Sequence, residues 1–329
     1  MDQYTSPEAP AADPNADLST PGAAHRLLER QGLPAEDSTS LPDSPLTFGD
    51  GGHYRIEVSG VERLSTLEAL VDEARRRELH IHRAVSFVAG ATLLDRGELR
   101  AFAQLASEAG VEVIACPGPR AGWDLGRQAV TPEGKATGGR VRGSDNLRLL
   151  IEDYLRLFDC GFRGILVWDE GVLDVMAKAR EAGHIPPETV MKVSVFTGHG
   201  NPAALRVVES LGADSVNPVG DLSRPMLAAI RSVVTIPIDV YAFVYDSFGG
   251  MNRYWETGEI SRVASPCYFK IEPGETEKGV YTAWADPDWL AARVRDRVRH
   301  AAIMHELAAV TTPSVRPSPS PGSSNDGPD

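Results

Sequence analysis

The sequence contains few cysteines and no closely spaced pair of them. The three that occur, Cys116, Cys160 and Cys267, lie far apart along the chain. Disulfide scaffolds, zinc knuckles and four-cysteine iron–sulfur sites all need more thiols or closer spacing. The sequence excludes such sites within this chain alone, and we expect no iron–sulfur cluster.

Long apolar runs and an excess of positive charge are lacking too. No run of 18 apolar residues occurs, and a membrane-spanning helix needs about 20. The first residues have neither the basic segment nor the apolar core of a secretory signal. The net charge of −13 opposes the basic footprint typical of nucleic-acid-binding proteins. We therefore expect a cytoplasmic protein with a small-molecule or peptide substrate and with neither a nucleic-acid nor a membrane partner; the oligomeric state stays open.

Several standard catalytic motifs do not occur. The chain has no GxSxG elbow, no HExxH helix and no phosphate-binding loop, which mark serine hydrolases, zinc peptidases and nucleotide hydrolases respectively. Function must therefore be argued from the positions of individual polar residues.

The two ends of the chain differ in composition from the middle. Residues 1–48 and 312–329 are rich in Pro, Ser and Asp, a composition that buries too little apolar surface to order itself. We predict disordered tails there, around one domain at 49–311. Removing 1–45 and 313–329 is accordingly expected to leave the melting temperature nearly unchanged.

Between these ends, short strand-like runs alternate with helical patterns, which is typical of repeated βα units around a parallel sheet. A helical pattern follows almost every strand, and glycines such as Gly110, Gly161 and Gly183 end several helices. The pattern predicts an α/β fold, a (β/α)8 TIM barrel; a doubly wound open sheet is the alternative, but no GxGxxG follows the first strand. The predicted strands are Tyr54–Val58, His80–Phe87, Val111–Cys116, Gly164–Trp168, Met191–Phe196, Ser215–Val219, Ile238–Val244 and Tyr268–Ile271.

About a third of the chain resembles a known family. The segments GILVWDEGVLDVMAKA, KVSVFTGHGNPAALRVVESLGADSVNPVGDLS and IPIDVYAFVYDSFGGMNRYWETGE follow one another between Phe162 and Glu259. In this order they resemble the collagenase-like peptidases of unknown catalytic type, a family that also supplies accessory proteins for ubiquinone and RNA-base hydroxylation. The resemblance implies a barrel and peptidase-like hydrolysis, and matches Asp169 to the family's strand-end Asp. The family's cysteines are missing between Tyr245 and Tyr254, so chemistry that depends on them is not implied.

Acidic residues at predicted strand ends are the main catalytic candidates, because barrel enzymes place their chemistry there. Glu57 interrupts an apolar strand, and Asp169 and Glu170 follow the fourth strand. Only one of these two adjacent acids can face inward; we assign Asp169 to the site and Glu170 to capping the next helix. His199, between two glycines after the fifth strand, is a candidate proton shuttle.

The last strand adds a lysine and an acid. Lys270 and Glu272 are two residues apart, so they share one strand face and form a candidate ion pair beside Glu57. Lys192 lies early in the fifth strand and is a less favoured candidate for a Schiff base. His80 and His82 also share a face, but they lie at the start of the second strand, where barrel residues serve stability.

Further polar residues near strand ends are candidates for substrate binding. Arginines there suit a carboxylate or phosphate group, and one of them lies in the glycine-rich loop 117–143. These candidates are Arg83, Arg120, Asn217, Tyr241, Tyr245 and Arg253.

We interpret the chain first as a peptidase-like hydrolase of a small amide- or peptide-containing substrate. Glu57, Asp169 and Glu272 would activate water or bind a divalent metal ion, and we expect them to converge on one pocket near Lys270 or Arg253. Two alternatives remain: a lyase or aldolase that acts beside a carbonyl through a lysine, and a non-catalytic barrel that binds a partner.

Overall fold

The computed structural model describes residues 22–118, 131 and 140–320, with Glu275, Thr276 and Lys278 described by backbone alone. Nine strands occur in these residues: β1 (Tyr54–Ser59), β2 (Arg83–Ser86), β3 (Glu112–Ala115), β4 (Gly164–Val167), β5 (Val190–Val193), β6 (Ser215–Val216), β7 (Ile238–Val244), β8 (Met251–Asn252) and β9 (Cys267–Glu272). The α-helices of the described residues are α1 (Ala23–Arg30), α2 (Leu64–Arg76), α3 (Arg96–Glu108), α4 (Gly143–Asp159), α5 (Glu170–Glu181), α6 (Pro202–Ser210), α7 (Arg224–Arg231), α8 (Thr257–Ala264) and α9 (Pro287–Thr311).

Eight parallel strands close into a barrel. Neighbouring strands from β1 to β7 pair in chain order, and β9 closes the ring by pairing with both β1 and β7. The two-residue strand β8 is antiparallel to β7 and lies outside the ring. Closure confirms the predicted TIM barrel, because the two edge strands of an open doubly wound sheet do not pair with each other.

The apolar core lies between the strands and the surrounding helices. In β1, Ile56 and Val58 face outward into this layer and are almost completely buried. The alternate residues Glu57 and Ser59 face the barrel axis, because successive side chains of a strand point to opposite faces. Polar side chains such as Glu57 and Ser59 therefore lie inside the barrel, and the candidate site is built from residues of this kind.

The connection between β7 and β9 contains regular structure. Residues 245–266 form the short strand β8, a 3₁₀ turn at Tyr254–Glu256 and the helix α8. Because β7 and β9 pair directly with each other, this connection lies outside the ring of strands, where α8 packs on α7 and α9. Its helix is only eight residues long, too short for its periodicity to stand out in the sequence.

The described parts of the predicted tails, 22–48 and 312–320, lie against the barrel domain. Phe48 is buried and packs edge-on against Tyr268 at 5.3 Å between ring centroids. Ser318 binds the bottom of the barrel: its N–H donates to Tyr54 O at 2.9 Å, and its Oγ accepts from Arg55. Composition predicts disorder but does not register such contacts of single residues.

The Ser318 contacts oppose the expectation that removing 313–329 leaves the melting temperature nearly unchanged, and they predict that the C-terminal segment stabilises the fold. Ending the chain at Thr312 removes buried Val315 and at least three hydrogen bonds made by Ser318, each worth about 1 kcal/mol. We expect the melting temperature to fall by about 6 °C or more, measured by circular dichroism. A chain ending at Ser320 is the matched control, and equal melting temperatures for the two chains would contradict the prediction.

His82 is a structural residue at the bottom of the barrel. Its Nδ1 accepts from Ile56 N at 3.1 Å, and its Nε2 donates to Ser318 O at 3.0 Å. Burial, with a smaller effect of His80, lowers the pKa of His82 from 6.5 to about 3. The ring is therefore neutral and structural, as its position early in the strand suggested.

The low pKa of His82 predicts a loss of stability in mild acid. Below pH 6.5 the unfolded chain takes up a proton at this residue, whereas the folded chain does not until about pH 3. The free energy of unfolding thus falls as the pH drops from 6.5, by about 1.4 kcal/mol per pH unit. Urea unfolding at pH 7, 6 and 5 should show a shallower fall for His82→Gln, and parallel pH dependences would refute this assignment.

Candidate active site

An ammonium group lies between two carboxylates at the centre of the barrel. Lys192 Nζ, on β5, is 2.5 Å from Glu57 Oε2 and 2.7 Å from Asp239 Oδ2. All three side chains are fully buried. They face the axis from β1, β5 and β7, so the closure of the barrel brings them together.

Arg83 completes this buried cluster from below. Its Nη1 lies 3.4 Å from Asp239 Oδ1 and 3.7 Å from Glu57 Oε2, and its Nε donates to Glu112. The guanidinium carbon lies 3.5 Å from the centroid of the Tyr268 ring. Arg83 is thus enclosed by protein partners, and it supports the acids instead of reaching a substrate as the sequence suggested.

Above this cluster, Lys270 and Glu272 form a second ion pair. Lys270 Nζ is 3.0 Å from Glu272 Oε2 and 3.8 Å from Glu57 Oε1. Glu57 and Lys270 are direct register partners on β1 and β9, which explains their contact. The Tyr281 hydroxyl donates to Glu272 Oε1 from the 3₁₀ segment that follows β9.

A cavity of about 50 Å³ opens above this pair at the C-terminal mouth. Its volume suffices for a few water molecules. The side chains of Phe196 and Phe248 form its roof, and Val85 and Leu166 form an apolar wall. The polar residues of its lining are Ser59, Lys192, Ser194, Asn217, Tyr241, Lys270 and Glu272.

The cluster sets the charges of its members. Burial raises the pKa of Asp239, and the nearby carboxylate of Glu57 adds to this rise. Burial acts in the same direction on Glu57, but Lys192, Lys270 and Arg83 outweigh it and hold the pKa of Glu57 below its usual value. Burial alone would lower the pKa of Lys270, yet Glu272, Tyr241 and Glu57 raise it. The cavity is thus lined by a lysine that stays charged at neutral pH.

Asp169, which the sequence assigned to the site, serves instead as a helix cap. Its Oδ1 accepts from Gly171 N at 3.0 Å and Val172 N at 3.3 Å at the start of α5. Free N–H groups at a helix start strongly favour such a carboxylate. Its neighbour Glu170, which was expected to cap the helix, pairs with Arg140 instead, and neither acid lines the cavity.

Several other predicted site residues lie away from the cavity. His199 Nε2 is 3.0 Å from Glu170 Oε1, and Tyr245 packs on Phe243 and the ring of His300. Arg253 donates to Leu222 O and Glu256 Oε2, and it borders a separate outer pocket of about 570 Å³. Arg120 lies outside the described residues.

Among the predicted residues, the structure brings together Glu57, Lys270, Glu272, Asn217 and Tyr241. Of the three acids expected to converge on one pocket, Glu272 lines the cavity, Glu57 lies buried beneath it at 3.8 Å from Lys270, and Asp169 caps α5.

Sequence reasoning missed Ser59 and Tyr281. Ser59 follows Glu57 at the strand period of two, a signal that was available. Tyr281 comes from an irregular segment with no such period.

The described residues contain no group of three His, Cys, Asp or Glu side chains arranged to hold a metal ion. All three cysteines are buried and unbridged. Within the same residues, no helix is both long and apolar enough to cross a membrane.

Comparison with known proteins shows likenesses of fold at low sequence identity. No family model and no curated protein matches the chain. The YdjI aldolase of Escherichia coli K12 is 15% identical over 77% of this chain and 90% of its own, with a TM-score of 0.47. D-Psicose 3-epimerase of Clostridium cellulolyticum H10 is 11% identical over 78% and 99%, with a TM-score of 0.46.

A peptidase is also among the similar structures. The U32 peptidase Mk0906 is 19% identical over 60% of this chain and 72% of its own, with a TM-score of 0.38. Likenesses at this level assign no activity. The TIM barrel is shown, whereas membership of the collagenase-like peptidase family is not.

Removing the central ammonium should strongly destabilise the barrel. Lys192→Met leaves Glu57 and Asp239 facing each other without the cation between them, and breaking a buried ion pair costs about 3–5 kcal/mol. Urea unfolding measures this loss. Lys178→Met, which breaks an exposed pair with Asp174 at 2.7 Å, is the control, with an expected cost of about 0.5 kcal/mol. Similar losses of unfolding free energy in the two variants would show that ion pairing does not stabilise the cluster.

Proposed function

We propose that this chain is a lyase-type enzyme that acts on the carbon beside a carbonyl group of a small substrate. The observation that carries the proposal is the Lys270–Glu272 pair, which lines an enclosed cavity at the C-terminal mouth with a separation of 3.0 Å. Active sites of barrel enzymes lie at this end of the strands.

The pair has the two groups that such a reaction needs. Glu272 accepts a proton from the carbon next to the carbonyl, and the electrons of the broken C–H bond move onto the carbonyl oxygen. The Lys270 ammonium stabilises the negative charge that develops on this oxygen, and it does so strongly in a site shielded from water. When the next carbon carries a leaving group, the electrons return from the oxygen, a double bond forms between the two carbons, the bond to the leaving group breaks, and the protonated Glu272 gives its proton to that group. Without such a group, the proton returns to the carbon.

The charges beneath the pair prepare Lys270 for this role. Glu57, held ionised by Lys192 and Arg83, lies 3.8 Å from Lys270. Together with Glu272 it raises the pKa of Lys270, which keeps the ammonium available across the neutral range. Tyr281 fixes the other oxygen of Glu272, so that Oε2 is the one directed toward Lys270.

Amide hydrolysis is the second candidate. A cavity of about 50 Å³ has room for a water molecule beside Glu272, which would act as the base. The same volume suits a small substrate better than an extended peptide, and for this reason the lyase-type reaction is favoured.

Solvent exchange tests the proposed reaction. The purified full chain is incubated in D2O with hydroxyacetone, dihydroxyacetone, pyruvate and hydroxypyruvate, and NMR follows the loss of the C–H signal beside the carbonyl. We expect exchange faster than in buffer, reduced about 10²-fold or more by Glu272→Gln and by Lys270→Met. Lys178→Met, far from the cavity, should keep the full rate.

Two outcomes would reject the proposal. One is exchange no faster than in buffer for all four compounds; the other is exchange that survives both substitutions. Cleavage of small amides that is lost in Glu272→Gln would favour the hydrolase. Substrate trapped by borohydride on Lys192 or Lys270, located by mass mapping, would replace the ammonium role with a covalent one.

A further inference from the structure

We infer, resting on the function proposed above, that the cavity selects a substrate with a hydroxyl group beside its carbonyl and that Asn217 is the residue that selects it. Asn217 follows β6 at the C-terminal mouth and lines the same cavity as Lys192 and Lys270. Its side chain is almost fully buried, with 1% of its surface exposed.

The orientation of the Asn217 amide is fixed by two main-chain carbonyl groups. Nδ2 donates to Pro218 O at 3.1 Å and to Asp239 O at 3.1 Å, which uses both of its N–H groups. A reversed amide would place Oδ1 against these two oxygens, and none of the three could donate. Asn217 therefore presents an acceptor, Oδ1, as its only free polar atom.

This acceptor is buried and has no protein partner. Asn217 Oδ1 makes no hydrogen bond in the structure, and neither does the hydroxyl of Ser59 on β1. Buried polar atoms are nearly always paired with protein, water or ligand. Both residues line the same cavity, so a molecule bound there can supply the donor that Asn217 lacks.

The lysines of the cavity require the opposite kind of hydrogen-bond partner. The ammonium groups of Lys192 and Lys270 have donors only, so they require an acceptor such as a carbonyl oxygen. A second ammonium, on the ligand, would be repelled by the nearby lysines, and this leaves a neutral hydroxyl as the donor that suits Asn217. A small molecule that meets both requirements is a hydroxy-carbonyl compound.

A matched pair of probes tests this selection through binding alone. Hydroxyacetone and butanone have the same number of heavy atoms and differ in a hydroxyl group replaced by a methyl group. We expect the full chain to bind hydroxyacetone at least tenfold more tightly in NMR titrations, because the methyl group leaves Asn217 unpaired. Equal affinities, or no binding of either probe, would overturn the inference.

Substitution identifies the selecting residue. Asn217→Leu removes the acceptor and should abolish the preference, whereas Asn146→Leu on α4 should retain it. If the leucine variant does not fold, Asn217→Ser, whose shorter side chain does not reach the same point, should show the same loss. A preference that persists in the folded variant would overturn the role of Asn217.

The exchange and binding experiments test the two proposals independently. Proton exchange without a hydroxyl preference would overturn the selection by Asn217 and leave the proposed reaction standing. A hydroxyl preference without exchange would overturn the proposed reaction, while the binding selectivity would remain.

Discussion

The contact between the Lys192 ammonium and the carboxylates of Glu57 and Asp239 determines how the interior of this barrel is built. An isolated buried charge is very costly, so each of these groups requires its partners in place. The three come from β1, β5 and β7. Lys192 Nζ lies 2.5 Å from Glu57 and 2.7 Å from Asp239, so these contacts connect strands that are not neighbours in the barrel. Apolar side chains of similar volume would often serve stability as well or better. A charged centre directly beneath the cavity is therefore better explained by chemistry than by folding.

Glu57 links the buried cluster electrostatically to the cavity. One of its oxygens contacts Lys192, and the other lies 3.8 Å from Lys270. Glu57 is itself inaccessible, so it affects the cavity only through the two lysines. The enclosed acids below set the electrostatics, whereas the ion pair of Lys270 and Glu272 above them lines the cavity.

The fold could be predicted from sequence because its signals are local and repeated. Apolar runs, helical periods and terminal glycines recur along the chain, and each unit carries its own evidence. Part of the site followed from the same logic, since the period of two places Lys270 and Glu272 on one face of β9. Asp169 and Glu170 could not be separated in this way, because the direction of the chain after β4 decides which acid caps α5. Tyr281 and Ser318 act through contacts with residues that no sequence pattern links to them.

The chemistry and the shape of the cavity are supplied by different parts of the barrel. Lys270, Glu272 and Asn217 are on or next to strands, whose register fixes them. The roof is made by loops, where Phe196 and Phe248 are 59% and 50% exposed. Phe248 has a left-handed backbone, with φ 52°, is followed by two glycines, and borders both the inner cavity and the outer pocket. Loop changes around Phe248 can therefore alter the size of the cavity without moving the Lys270–Glu272 pair, which is the general advantage of a cavity at the mouth of a barrel.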